Sequence, residues 1–264
     1  MLTGCFDGAG KEQDASASTD VVVVAGFAGM AGAWSAFHEK WTARLLQDGL
    51  KTFHAVDFAQ FRREFKKGWR DNEPRRRALT RDLMDIIIEH GLRKFGNITP
   101  LGAYRTIDTK LRKTLLLDAY VMGAPCVAGD LNFYAIENGM GRNVRYVFEK
   151  GDSEDALRKR FRNDGFSDPD FTWKAPCIDR KGIEHDGFVG LQAADWLAYE
   201  YYLDAGRFVA GEPRDRWAFT EFQKLTGHIG LQLAVTAKLN EGILRGKQLI
   251  VGSQRSRANK ARQQ

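Results

Sequence analysis

Residues 191–202 read LQAADWLAYEYY. Leu191, Ala194, Leu197, Ala198 and Tyr201 recur at helical spacing, so the stretch predicts a helix with a buried face. Ala193, Trp196 and Tyr199 are apolar or amphipathic as well. Asp195 therefore lies close to packed surface whichever way the helix turns. A carboxylate there is costly unless it is paired, hydrogen-bonded or bound to a cation. Asp195 needs a partner.

Other segments frame that helix. VVVVAGF (21–27) is β-branched and uniformly apolar, which predicts a buried strand. LTGCF (2–6) reads as a short strand ending at Asp7, and the polar loop between the two makes a hairpin. VRYVFEKGD (144–152) alternates as a strand that ends at Glu149, with Asp152 just beyond. Helices are expected over 31–48, which carries Trp34, Phe37, Trp41 and Leu45, and from Pro74 through the run ending RKF. Further helices are expected over 110–137, kinked or broken at Pro125, over 153–163 and over 217–246. A strand is expected near 97–104. TFHAVDF (52–58) and FTWKAPCI (171–178) read as extended. The charged segment 60–78 reads as a solvated connection. Strands and helices alternate throughout, so the fold class is α/β with helical additions.

The chain has 264 residues, 43% hydrophobic and 28% charged, enough for a substantial core. No run approaches the roughly eighteen apolar residues of a membrane span, and MLTGCFDGAG does not have the form of a signal peptide. Cys5, Cys126 and Cys177 are far apart and odd in number, with no disulfide framework. A reducing cytoplasm is the expected home. Net charge is +6 and the isoelectric point is near 9.2, which favours an anionic partner such as nucleic acid. The candidate phosphate contacts are Arg75-Arg76-Arg77 and Arg158-Lys159-Arg160. The alternative is that both are ordinary solvated faces. The tail SQRSRANKARQQ is basic and apolar-poor, so disorder is expected.

AGFAGMAG follows the best strand and precedes a good helix, as a phosphate-binding turn would. Its glycines fall at 26, 29 and 32, whereas the dinucleotide fingerprint needs its first two only two residues apart. A tight turn with close helix–strand packing is the better reading. The five histidines form no HxH or HExxH pair, which argues against zinc.

The acids carry more. Asp7 and Glu149 end strands, Asp152 follows, Asp57 adjoins an apolar segment and Asp195 sits in an apolar helix. Hard cations take oxygen ligands, and Mg²⁺ uses a few carboxylates plus water and substrate phosphate. Two such ions about 4 Å apart can activate water and stabilise the leaving oxygen in phosphodiester cleavage. For each acid alone the competing role is a salt bridge or a helix cap.

CFDGAG, VVVVAGFAG with its tryptophan-bearing helix, FHAVDF, VFEKGD and GLQAADWLAYEYY, in that order over residues 2–205, resemble domain-of-unknown-function family 3800. The resemblance implies a ribonuclease-H-like mixed sheet flanked by helices. It makes residues 1–205 that domain, 206–250 a C-terminal helical extension packed on it and 251–264 the basic tail. It makes Asp7 a first-strand metal ligand and Asp195 the acid of the closing helix, with Gln192 one turn earlier on the same face. Glu149 stands where the family usually has Asp. His54 and Asp57 match an H-x-x-[E/D] stretch, and Asp152 is a supporting acid. The family's D-E-S-G is D-G-A-G here, so Gly8 replaces an acid.

The implied activity is metal-dependent cleavage of DNA or RNA, with one or two Mg²⁺ or Mn²⁺ ions on Asp7, Glu149, Asp195 and also Asp57. By analogy, such enzymes occur in mobile elements and phage defence. The alternative is a catalytically inactive ribonuclease-H-like module that binds nucleic acid or another partner. Nucleic acid is the expected partner and no membrane is; a protein partner or homo-oligomer stays open.

Overall fold

A computed structural model describes residues 1–10, 20–105, 109–111, 118–151, 153–179, 182–213 and 216–231. The chain opens with β1 (Leu2–Ala9) and β2 (Val21–Met30), which passes directly into α1 (Ala31–Gln47). Then come α2 (Ala55–Gln60), a 3₁₀ turn (Arg63–Phe65), α3 (Glu73–Glu89), β3 (Arg93–Pro100), α4 (Leu101–Arg105), α5 (Thr109–Leu111) and α6 (Ala119–Glu137). They are followed by β4 (Val144–Glu149), α7 (Glu154–Asn163), β5 (Asp170–Thr172), β6 (Cys177–Ile178), β7 (Glu184–His185), α8 (Gly190–Ala210), α9 (Trp217–Lys224) and β8 (Gly227–Leu231).

The protein is α/β, with a mixed six-stranded sheet flanked by helices. Its strand order is β5-β4-β1-β2-β3-β8, and β6 pairs with β7 in a separate small ribbon. β1, β2 and β3 form an antiparallel meander. β4 lies parallel to β1 on its other side, and β5 parallel to β4. The valine run of β2 follows from this position. Val21, Val23, Ala25 and Phe27 enter one core, while Val22, Val24 and Ala28 enter the other. A strand covered on both faces has no polar side to show. The first core is closed by α1, α3, α8 and α9, and the second by α6 and α7. No helix among the described residues is long and apolar enough to cross a membrane. None of the three cysteines forms a disulfide.

Gly26 explains the glycine-rich stretch: a Cβ there would lie 1.8 Å from the Cys5 carbonyl oxygen, so its role is the close approach of β1 and β2.

Several expectations need correction. TFHAVDF is not extended throughout, because α2 begins at Ala55. The helix forms there because its first free N–H, on Ala55, donates to Asp195 at 2.6 Å, an acceptor from a distant segment. Segment 60–78 is no solvated connection: Phe65 and Trp69 are buried. Arg75 lies 4.1 Å over the Trp69 ring, and Arg76 lies over Phe58 and Phe61, so the arginines roof an aromatic cluster. Pro125 does not break α6, which runs through it with the proline buried. The strand expected at 97–104 begins at Arg93.

Residues 217–246 are not one helix. α9 ends at Lys224, where Lys94 donates to the carbonyls of Phe222 at 2.6 Å and Gln223 at 3.0 Å. The chain then enters β8, parallel to β3, so the segment after 205 contributes a strand to the main sheet rather than helix alone. Residues 232–264, including the basic tail, lie outside the described residues.

Candidate active site

Three of the predicted acids come together at the C-terminal ends of parallel strands. Phe6 on β1 pairs with Phe148 on β4, so Asp7 and Glu149, the next residues, stand side by side. α8 packs across β1 and β2 and brings Asp195 over them. Asp7 and Asp195 are 4% and 8% exposed, deep enough that neither charge is tolerable alone.

Their shared partner is Lys174, just past β5. Its Nζ lies 3.1 Å from Asp7 Oδ2, 2.9 Å from Glu149 Oε2 and 3.1 Å from Asp195 Oδ1. Burial works against the Lys174 charge, but the carboxylates of Asp7, Asp195 and Glu149 outweigh it and hold the amine well above its ordinary pKa. Burial, reinforced by the charge of Asp7 and only partly offset by Lys174, pushes Glu149 up to about 7.

Neighbouring groups fix this arrangement. Gly8 N–H donates to Asp7 Oδ1 at 2.7 Å. Asp195 Oδ2 accepts the Ala55 N–H, which leaves Oδ1 for Lys174. Gln192 is fully buried: its Oε1 accepts from Trp41 Nε1 at 3.0 Å and Phe53 N–H at 2.8 Å, and its Nε2 donates to the Lys174 carbonyl at 2.9 Å. One amide thus ties α1, the approach to α2 and the Lys174 backbone to α8.

His54 bridges outward. Its Nε2 lies 3.5 Å from Asp195 Oδ1 and its Nδ1 lies 3.1 Å from Asp57 Oδ2. The second contact is off the angle of a hydrogen bond, so this buried nitrogen has no aligned partner. Asp57 also lies 3.4 Å from Arg63 and joins the cluster through His54. Asp152 lies outside the described residues.

The basic clusters divide between the two helical layers, α3 on one face of the sheet and α7 on the other. Arg75 is a structural group: it pairs with Asp48 at 2.8 Å and covers Trp69. Arg76 and Arg77 share Glu73. Arg158 lies over Phe171, Arg160 pairs with Asp164 at 2.8 Å, and Lys159 is exposed.

Lys174 was missed by sequence reasoning, although a single lysine inside FTWKAPCI was the available signal for a cation facing buried acids. Among the described residues, no group of three or more His, Cys, Asp or Glu side chains is placed to hold a metal ion directly. The point where the three acids meet is held by an ammonium. All-oxygen donors drawn from three separate elements onto one cation position suit a hard ion in kind. Comparison with protein-family models, curated proteins and solved structures returns no match.

Proposed function

We propose that this chain is a nuclease of ribonuclease-H-like fold that cleaves phosphodiester bonds of DNA or RNA, with Mg²⁺ or Mn²⁺ held by Asp7, Glu149 and Asp195 in place of the Lys174 ammonium. The observation that carries this reading is the convergence of those three carboxylates on one cation position at 2.9–3.1 Å. The finer fold reading draws support from β1 lying between an antiparallel hairpin partner and a parallel strand, with acids on β1, on β4 and on the helix that closes the chain's α/β core. The motif resemblance seen in the sequence points the same way.

Charge explains why a divalent ion belongs in such a site. Three carboxyl groups face one ammonium, and once Glu149 gives up its proton above about pH 7 the cluster repels a phosphodiester. A divalent ion held by Asp7, Glu149 and Asp195 would lower the pKa of a water and stabilise the leaving oxygen. The protein's own groups do the rest. Ala55 N–H and Gly8 N–H hold one oxygen each of Asp195 and Asp7 and aim the other inward. Gln192 fixes the backbone from which Lys174 reaches the acids, and a displaced Lys174 keeps its charge for a substrate phosphate. His54, between Asp57 and Asp195, links the outlying acid to the cluster.

Labelled single-stranded, double-stranded and hybrid substrates test this with Mn²⁺ and with EDTA. Cleavage should require metal and fall by orders of magnitude in Asp7→Asn. Equal cleavage by the purified wild type and Asp7→Asn overturns the reading.

One observation favours a second reading, a catalytically inactive module that binds nucleic acid. Lys174 already satisfies the three acids, and Gly8 supplies no further one. Calorimetric titration with Mn²⁺ separates the two: binding supports the nuclease, and no binding supports the inactive module.

A further inference from the structure

A cavity of about 370 Å³ begins where the acid cluster ends. Ala55 belongs to both, because its N–H holds Asp195 while the residue lines the cavity wall. Tyr199 lies one turn after Asp195 on the same side of α8 and also lines the cavity. Burial raises the Tyr199 hydroxyl pKa, and the charge of Asp195 is among those that act on it.

The walls differ in chemistry. Arg216 is committed to Glu200 through two hydrogen bonds of 2.7 Å, and Glu200 is buried, so that pair is internally neutral. The opposite wall, on α3, carries Arg76, Arg77 and Arg81. Arg76 and Arg77 share the single exposed carboxylate of Glu73. Arg81 makes no ion pair among the described residues, and the Nε of Arg76 is buried without a hydrogen-bond partner. Arg77 and Arg81 stand at i,i+4, an arrangement that like charges destabilise until an anion joins them. Between the walls, Tyr199 is half-buried, and Trp217 leaves 43% of its surface exposed.

Planar aromatic surface beside surplus guanidinium charge matches a base with its phosphate. A volume of about 370 Å³ also lies within the roughly 300–1,000 Å³ of small-molecule sites. We propose that this cavity is a nucleotide subsite, with the base against Tyr199 and Trp217 and the phosphate on Arg77 and Arg81. The proposal rests on the nucleic-acid reading above for the source of that nucleotide: a strand whose next phosphodiester reaches the acid cluster.

The test needs no cleavage. Full-length Asp7→Asn protein in EDTA is titrated into a fluorescently labelled single-stranded oligonucleotide, alone and with Trp217→Ala, Arg81→Glu or Arg142→Glu added. The three added positions are exposed, so the fold should tolerate the changes. Trp217→Ala should weaken binding about tenfold, within the range for loss of one stacked base. Arg81→Glu should weaken binding and cut competition by a nucleoside monophosphate, whereas Arg142→Glu, just before β4 and outside both basic clusters, should leave that competition unchanged. Inorganic phosphate and the free nucleoside should compete far less well than the monophosphate. Oligonucleotide binding that survives both Trp217→Ala and Arg81→Glu overturns the subsite and leaves the nucleic-acid reading standing. A monophosphate that binds where the oligonucleotide does not keeps the subsite and overturns its assignment to a strand. Failure of both ligands to bind overturns the subsite, and the nuclease reading is judged separately by the metal-dependent cleavage assay.

Discussion

Asp7 on β1 and Asp195 on α8 accept hydrogen bonds from one nitrogen, Lys174 Nζ, each at 3.1 Å. The two acids are 188 residues apart in sequence, and the ammonium is what they have in common. The state of that nitrogen therefore governs both the stability of the site and its affinity for any other cation.

Lys174→Met removes the ammonium and leaves three acids facing one another. The metal-free variant should lose about 3–5 kcal/mol, the loss typical when one partner of a buried ion pair is removed. Added Mn²⁺ should restore much of it, because a ligand that binds only the folded state stabilises by mass action. Its melting temperature should rise with Mn²⁺ by much more than that of the wild type. Melts of both proteins in EDTA and in Mn²⁺ check this, and a variant blind to metal would remove the acids from the list of cation ligands.

Glu149 gives a pH signature. Its folded pKa of about 7 exceeds the ordinary carboxylate value of 4.5, so the folded protein holds a proton that the unfolded chain releases. Stability should therefore fall as pH rises from about 4.5 to about 7, then level off. Lys174, raised well above its usual value, stays charged in both states across this window and adds no slope. Glu149→Gln should lack about 2 kcal/mol of the decline. Denaturant titrations of both proteins in EDTA at pH 5 and pH 7.5 measure the difference; identical pH dependences would contradict the assignment.

Gln192→Leu keeps an apolar side chain of similar reach but strands Trp41 Nε1, Phe53 N–H and the Lys174 carbonyl. Buried groups left without partners cost about 1–3 kcal/mol each. A loss above about 3 kcal/mol in urea unfolding is expected. A loss below about 1 kcal/mol would show that these bonds do not hold the site.

The legible features were those written in local pattern. Four consecutive valines announced a strand buried on both faces, and the acid in LQAADWLAYEYY announced a buried charge that needed a partner. What stayed hidden depended on partners distant in sequence. α2 starts where an Asp195 oxygen, 140 residues later in the chain, caps its first N–H. The charge of 60–78 masked Phe65 and Trp69, because stacked arginines read as solvated ones. Lys174 stayed hidden because no spacing rule connects it to β1, β4 and α8. β8 could not be read because its pairing is to β3, far earlier in the chain, and because α9 is stopped by a lysine from that same strand.

That lysine also joins the last described helix to the sheet. Lys94 is buried, its amine held below its ordinary pKa by burial, and it spends its donors on the last carbonyls of α9 just before β8 docks. β8 in turn covers the hydrogen-bonding edge of β3 from Lys94 to Ile98. α9 closes the core beside that strand with Phe219 and Phe222. A protein shortened to end before Trp217 would bare that apolar surface and leave a buried amine without its acceptors, so it should self-associate more than the longer chain. Among the described residues, α9 and β8 are thus the last cover of this core, and Lys94 ties the end of α9 to β3.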